Sequence, residues 1–281
     1  MCLAGGMDVS GLAPIEQTAL LTEYCRALDS RSARPILGDS HADATVRRID
    51  HDFASLGATP SVVALVALRA KMLDECLSRF VAADPSAVVV DLGAGLSSAA
   101  FRVDPPPTVD WVNVDLPGVI GLRNAVVPAH ERVRDVAANV LEPDWVTAVP
   151  PDRPTIVFAD GLFAFLDEDA VVSLLRRITG HFPSGVVAFN DYGRVSKANQ
   201  VIGRLTSSRN ANSPHRQWNF PGFKDARQPE SWDPALRLLD ESSAMHRPET
   251  AQFPTGLRIA SRLSRRVPSI ARKARVLQYR F

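Results

Sequence analysis

The chain has 281 residues, 46% of them hydrophobic, enough to bury the core of one large α/β domain or two small ones. Lys+Arg 32 against Asp+Glu 31 leaves a net charge of +1, which argues against nucleic-acid binding through the whole surface. Cys2, Cys25 and Cys76 have neither metal-type spacing nor a disulfide framework. They are expected to be reduced thiols of a cytoplasmic protein.

The first residues, Met1 to Met7, carry no basic region ahead of an apolar stretch, so no secretory signal is expected. No apolar run reaches the length that spans a bilayer. Residues 14–29 read as a helix, with Ile15, Ala19, Cys25 and Leu28 near helical spacing and Asp29-Ser30-Arg31-Ser32 ending it. Pro35 to Asp39 is a turn. Residues 61–80 form a stronger helix, with the stripe Val62, Leu65, Val66, Met72, Leu73, Cys76, Leu77 and Phe80 and Thr59 or Ser61 at its N-cap. Arg69 interrupts that stripe. A guanidinium on an apolar face needs a route to water, a structural carboxylate, or the carboxylate of an amino-acid-like ligand, which its fork matches in bidentate fashion.

From residue 86 strands alternate with helices. Strand-like runs cover 87–92, 109–115, 132–136, 154–160 and 185–191. The clearest helix between them is 167–180, with Asp167 at the N-cap, Glu168 and Asp169 in the first turn, and Val171, Leu174, Leu175 and Ile178 as its buried stripe. The alternation implies an α/β fold with a doubly wound, mainly parallel sheet, preceded by an N-terminal helical extension. Ligands of such sheets bind beyond the carboxyl ends of the strands. That rule singles out Asp91 to Gly95, Asp115, Asp135, Asp160 with Gly161, and Asn190 to Tyr192.

The run Val88-Val89-Val90-Asp91-Leu92-Gly93-Ala94-Gly95 joins a strand to a glycine turn. Asp115 closes the next strand twenty residues past Gly95. This arrangement suits a nucleoside-bearing cofactor, with glycines for close backbone approach and an acid for ribose hydroxyls. A dinucleotide fingerprint requires a third glycine at position 98, which here is Ser98. That glycine serves packing over a pyrophosphate, so its absence favours S-adenosylmethionine, which has no phosphates.

Past Tyr192 a helix is expected over 196–206. Residues 210–234, rich in Pro, Asn and aromatics, read as an extended loop or cap and as the candidate acceptor pocket. A strand, a helix and a final period-two strand fill 235–281. The segment 258–281 holds eight basic residues and no acid: a solvated face, or a surface for an anionic substrate, a membrane or an acidic partner.

Several segments occur together in an order that resembles the leucine carboxyl methyltransferase superfamily, in its bacterial branch of tetracenomycin-type polyketide O-methyltransferases. They are Thr18-Ala19-Leu20 with Arg26-Ala27, Pro35 to Asp39, Arg69 to Asp74, Val90 to Leu96 with Phe101-Arg102, Val109 to Ile120, and Ala159 to Leu166. The resemblance implies one class I, Rossmann-like methyltransferase domain over 1–281. Within it lie a helical part (14–80), a cofactor-binding core (86–192), and a substrate-side loop with C-terminal strands (193–281).

The resemblance further implies that Arg69 holds the methionine carboxylate, that Gly93 and Gly95 with Asp91 face the methionine moiety, and that Asp115 with Leu116 holds the ribose. Asp135 with Val136 would contact adenine, and Asp160 with Gly161 would lie near the methionine amino group. The chain departs from the family where Gly-x-Gly-Leu-Asp-Thr-Arg becomes Gly95-Leu96-Ser97-Ser98-Ala99, and where Asp160 replaces a glutamate and Phe165 a tyrosine.

A carboxylate acceptor, with a pKa of roughly 4, is ionised at neutral pH; a phenol, at about 10, needs a general base. Of His41, His51, His130, His181, His215 and His246, only His215 sits in the aromatic segment, beside Arg216 and Trp218. His215 and Tyr192 are therefore the candidate catalytic residues. The leading expectation is O-methylation of a small-molecule acceptor at a carboxylate, in secondary metabolism. Phenolic methylation and a silent S-adenosylmethionine-binding protein are the alternatives, and a nucleotide-dependent oxidoreductase is disfavoured by Ser98. No nucleic-acid partner and no metal are expected, and the sequence does not set the oligomeric state.

Overall fold

A computed structural model of the chain describes residues 6–193 and 218–281. The helix expected over 196–206, the first part of the aromatic segment and His215 lie outside the described residues.

At the N-terminus β1 (Met7–Asp8) and β2 (Ile49–Asp50) form a short parallel pair beside α1 (Thr18–Ser30) and α2 (Ser40–Val46). Helix α1 begins four residues later than the apolar spacing suggests. Residues 14–17 instead form turns, fastened by Ala13 N–H donating to the Glu16 carboxylate at 2.8 Å. Helix α3 (Pro60–Ala83) begins as expected, with Thr59 Oγ1 accepting from Val62 N–H and Pro60 in the first turn.

The strands β3 (Val88–Leu92), β4 (Asp110–Asp115), β5 (Val133–Ala137), β6 (Thr155–Ala159) and β7 (Gly185–Asp191) are parallel. Between them lie α4 (Ala99–Val103), α5 (Pro117–Val126), α6 (Asp144–Thr147) and α7 (Glu168–His181). The chain then gives α8 (Gln228–Trp232), β8 (Arg237–Ser243), α9 (Thr255–Ser264), α10 (Pro268–Ala271) and β9 (Arg275–Arg280). The sheet order is β5-β4-β3-β6-β7-β9-β8, with β9 antiparallel to both neighbours. The last strand of the chain is thus an interior one.

Both faces of the sheet are covered. Val88, Val90 and Leu92 point into one apolar cluster with Val171, Leu174, Leu175 and Ile178 of α7. Val89 points into the other, with Leu68, Met72, Leu73 and Leu77 of α3. Burial on both sides explains why β3 reads as an unbroken β-branched run rather than an alternation. The chain steps outward from β3 to β4 and β5, then returns to β6 on the other side of β3. That reversal opens a crevice at the carboxyl ends of β3, β4 and β6, with Asp91, Asp115 and Asp160 at its floor.

Candidate active site

The crevice is a cavity of about 460 Å³, roofed by the start of α1 and by Val62, Leu65 and Val66 of α3. Arg69, Asp91, Gly93, Gly95, Asp115, Leu116, Asp160, Gly161 and Tyr192 all line it. Asp135 and Val136 do not. The positions beyond β5 that reach the cavity are Ala138 to Leu141.

The turn after β3 is built from backbone. Gly93 and Gly95 have φ of 69° and 54°, in the left-handed region that suits glycine. A Cβ on Gly93 would stand 3.2 Å from the Leu162 side chain. Gly93 N–H donates to Val114 O at 2.8 Å. Asp115 accepts from Gly95 N–H and Leu116 N–H, both at 2.7 Å. Each of its oxygens keeps a lone pair for a ligand hydroxyl. From behind, buried Arg123 of α5 donates to Gly95 O at 3.2 Å and to Ser97 O at 2.7 Å. Its Nε donates to Asp135 at 3.1 Å. Asp135, which also accepts from Asn113 Nδ2 at 2.7 Å, is therefore the brace that aims Arg123. This corrects the expectation of an adenine contact there. Sequence reading missed Arg123, although it interrupts the apolar face of α5 (Val119, Ile120, Leu122, Val126) just as Arg69 interrupts that of α3.

The altered residues after Gly95 have local partners. Ser97 Oγ accepts from Ala99 N–H at 3.2 Å. Ser98 Oγ donates to the Asp39 carboxylate, within 2.6 Å of its nearer oxygen. Arg102 links Asp39 (2.7 Å) to Asp74 (2.7 and 2.9 Å). Ala99 is buried against the cluster under α3. The Pro35 to Asp39 motif has a structural role here. Asp29 accepts from the N–H groups of Ile36, Leu37 and Gly38 at 2.9–3.0 Å, which presents Asp39 to Ser98 and Arg102.

Opposite the glycine turn, Arg69 faces Asp160 and Tyr192. Its Nε lies 2.6 Å from Asp160 Oδ1, and its Nη1 donates to the Tyr192 hydroxyl. Nε and Oδ1 are close but not in hydrogen-bond geometry, and among the described residues both are buried without a hydrogen-bonded partner. The two form an ion pair, with Arg26 Nη1 a further 3.9 Å from Asp160 Oδ2, and opposite charges presented together at a cavity wall suit a zwitterionic ligand. Burial acts to neutralise Arg69, but Asp160, Tyr192 and Cys25 together outweigh it and hold its pKa above the ordinary value. Gly161, at φ 90°, leaves room for the Arg69 head, and its N–H donates to Asn190 Oδ1 at 2.5 Å. The Tyr192 ring stacks on Trp218 with centroids 4.4 Å apart. Burial raises the Tyr192 phenol against the opposing pull of Arg69. Asp91 is pushed up to about 8, first by burial; Arg123 opposes this, while Asp160 and Asp115 add to it.

A sequence profile of leucine carboxyl methyltransferases matches residues 17–179. The tetracenomycin polyketide synthesis O-methyltransferase TcmP of Streptomyces glaucescens is 36% identical over 96% of this chain and 98% of its own length. The chain belongs to the leucine carboxyl methyltransferase family. The S-adenosyl-L-methionine-dependent methyltransferase dpfgK of Gibberella zeae is 34% identical over 66% of this chain and 68% of its own. Among solved structures, magnesium protoporphyrin IX methyltransferase from Synechocystis PCC 6803, with bound S-adenosylhomocysteine, superposes with a TM-score of 0.50 at 11% identity. That match covers 86% of this chain and 95% of the other. It confirms the class I methyltransferase fold expected from the strand and helix order.

The chain is an S-adenosylmethionine-dependent methyltransferase, and the cavity fits that cofactor. The glycine turn keeps side chains away where backbone must approach the ligand. The Arg69–Asp160 ion pair at the wall matches an amino acid's two charges. The absence of a third glycine matches a ligand without phosphates.

Proposed function

We propose that the protein methylates a carboxylate oxygen of a small, largely apolar molecule, giving a methyl ester in secondary metabolism. S-adenosylmethionine, when bound, supplies a methyl group already activated on a sulfonium. The residues of this chain then have to bind, orient and exclude water.

Arg69 would hold the methionine carboxylate, and Asp160 with the backbone around Gly161 the amino group. Asp91, Gly93 and Gly95 would line the methionine moiety. Asp115 would take the ribose hydroxyls, joined by Glu16, whose carboxylate occupies the space left open at Gly118. Leu116 and the Ala138 to Leu141 segment would flank the adenine.

One observation carries the choice of acceptor. Among the described residues, no histidine, lysine or cysteine lines the cavity, its carboxylates (Glu16, Asp91, Asp115 and Asp160) belong to the part we assign to the cofactor, and burial raises the Tyr192 phenol. A carboxylic acid arrives ionised and needs no base, whereas a phenol does. Val62, Leu65, Val66, Phe165, Leu166 and Trp218 supply an apolar wall for the body of such a molecule. The polyketide role in the name of the Streptomyces glaucescens relative supports an acceptor of that kind. Tyr192 positions Arg69 in this reading, and His215 is left without a required role.

Labelled methyl transfer to matched aromatic acids and phenols tests the proposal. The expected product forms from the acids and is released by mild alkali. An alkali-stable product formed only from phenols would overturn it.

A further inference from the structure

We infer that α9 and the turn following it form a docking face for an anionic lipid surface, placed beside the mouth of the acceptor cavity. Helix α9 packs in an unusual sense. Its buried residues are Ser261 and Ser264, and Ser261 Oγ donates to Met245 O at 2.7 Å. Leu257 in its first turn packs against the core, but its other two large aliphatic residues point outward: Ile259 and Leu263 are 51% and 49% exposed, and Val267 just beyond is 41% exposed. Spaced four apart, they form one ridge. Arg258 and Arg262 flank it, and Arg265, Arg266, Arg272 and Lys273 surround its end, all exposed. No acid occurs between residues 250 and 274. None of these six cations forms an ion pair among the described residues.

The position of this face connects it with catalysis. Ser243 at the end of β8 and Asp191 at the end of β7 both pair with Arg275 at the start of β9. The α9–α10 connection therefore lies at the same end of the sheet as the cavity. Gly193, next to Tyr192, abuts the backbone of Arg272 so closely that a Cβ there would collide with the Arg272 carbonyl. The basic turn and the Tyr192–Trp218 wall are neighbours.

Charge decides among possible occupants. A second copy presenting the same face would set cation against cation. Phosphate headgroups match guanidinium forks, and the acyl region matches the aliphatic ridge. Among the described residues no helix is long and apolar enough to cross a membrane, so the contact would be interfacial. An apolar acceptor would concentrate in that layer, and docking there would bring the cavity mouth to it.

Co-sedimentation with vesicles tests this without any acceptor. Phosphatidylglycerol-containing vesicles should bind the protein and pure phosphatidylcholine vesicles should not. Arg258→Gln/Arg262→Gln/Arg266→Gln should lower partitioning about a hundredfold. Ile259→Ser/Leu263→Ser should lower it at least about tenfold. Both variants should keep the circular dichroism spectrum and S-adenosylmethionine affinity of the parent. Failure to bind anionic vesicles overturns the inference. So does binding that the serine pair leaves unchanged, because charge alone then accounts for it. Soluble polyglutamate supplies the third arm. If the arginine variant loses polyglutamate binding while neither variant changes vesicle binding, the face belongs to an acidic protein and the lipid assignment fails.

Discussion

The two halves of the cavity are built from different materials. The cofactor half is backbone held by polar bonds: the Gly93 and Gly95 amides, Asp115 receiving two of its neighbours' N–H groups, and Arg123 tied to two carbonyls. The half we assign to the acceptor is side chains in apolar contact, with Trp218 stacked on Tyr192 and Leu65, Val66 and Phe165 around them. A fixed ligand with fixed charges requires particular residues at particular spacings. An apolar body requires only volume, which many residues supply. The difference predicts that substitutions in the first half will act on cofactor affinity, and those in the second on acceptor KM.

The largest effect is expected at Arg69, where the halves meet. In the proposed binding mode Arg69→Ala removes a charge-assisted contact to the methionine carboxylate, and it leaves Asp160 beside the cavity with the more distant Arg26, at 3.9 Å, as its cation. S-adenosylmethionine affinity should fall about a hundredfold or more, equivalent to roughly 3 kcal/mol. Calorimetry checks it, and unchanged affinity would remove Arg69 from the site. Next is Arg123→Ala, which orphans two carbonyls and uncouples Asp135. It should lower unfolding stability by about 3 kcal/mol in denaturant melts, and weaken cofactor binding without touching the ligand. A loss of stability with full affinity would show that the turn holds itself.

Much of the cofactor half was legible in the sequence for this reason. The glycine turn, Asp115 and the intruding Arg69 are each a departure from what a strand or an amphipathic helix would otherwise carry. Asp135 misled because strand-end acids look alike in one dimension. Only the pairing of β5 with β4 shows it turned toward Asn113 and Arg123 rather than the ligand. The acceptor half was hardly legible. Leu65 and Val66 read as ordinary members of an apolar helix stripe, and β9 gives no local sign that it inserts between β7 and β8. Its place is fixed by non-local contacts such as buried Arg275, whose Nε donates to Asp191 at 2.7 Å.

A pH series sharpens the comparison. With its pKa pushed up to about 8, Asp91 is mostly protonated at neutral pH in the free protein. The folded state therefore binds a proton that the unfolded chain, titrating near 4, has released. The stability Asp91 contributes is present at low pH and lost as pH rises from about 4 to 8. A cationic ligand favours the ionised form, so cofactor affinity should climb over the upper part of that window, by up to about tenfold per pH unit. Asp91→Asn should flatten both profiles, seen in melts and calorimetry between pH 6 and 8. A steep affinity profile surviving in the variant would assign the titration to another group. In the acceptor half, Trp218→Ala should raise acceptor KM about tenfold through lost stacking and apolar contact, with S-adenosylmethionine affinity unchanged. A matching loss of cofactor affinity would erase the division between the halves.

The smallest expected effect tests whether the N-terminal turns belong to the cofactor half. Glu16 stands on the segment before α1, yet its carboxylate lies against Gly118 at the start of α5 and faces the same cavity as Asp115. It is among the negative charges that, after burial, hold the Asp115 carboxyl above its ordinary range. Two facing carboxylates can share the ribose hydroxyls, each hydrogen bond contributing about 1 kcal/mol. Glu16→Gln should weaken S-adenosylmethionine binding about fivefold. Gly118→Ala places a methyl group where the Glu16 carboxylate now sits and should reproduce that loss while leaving Glu16 in the sequence. Because both changes remove one contact, the double variant should be no weaker than either single one. Additive losses would mean that Gly118 acts through α5 itself, and that Glu16 only fastens the turn at Ala13.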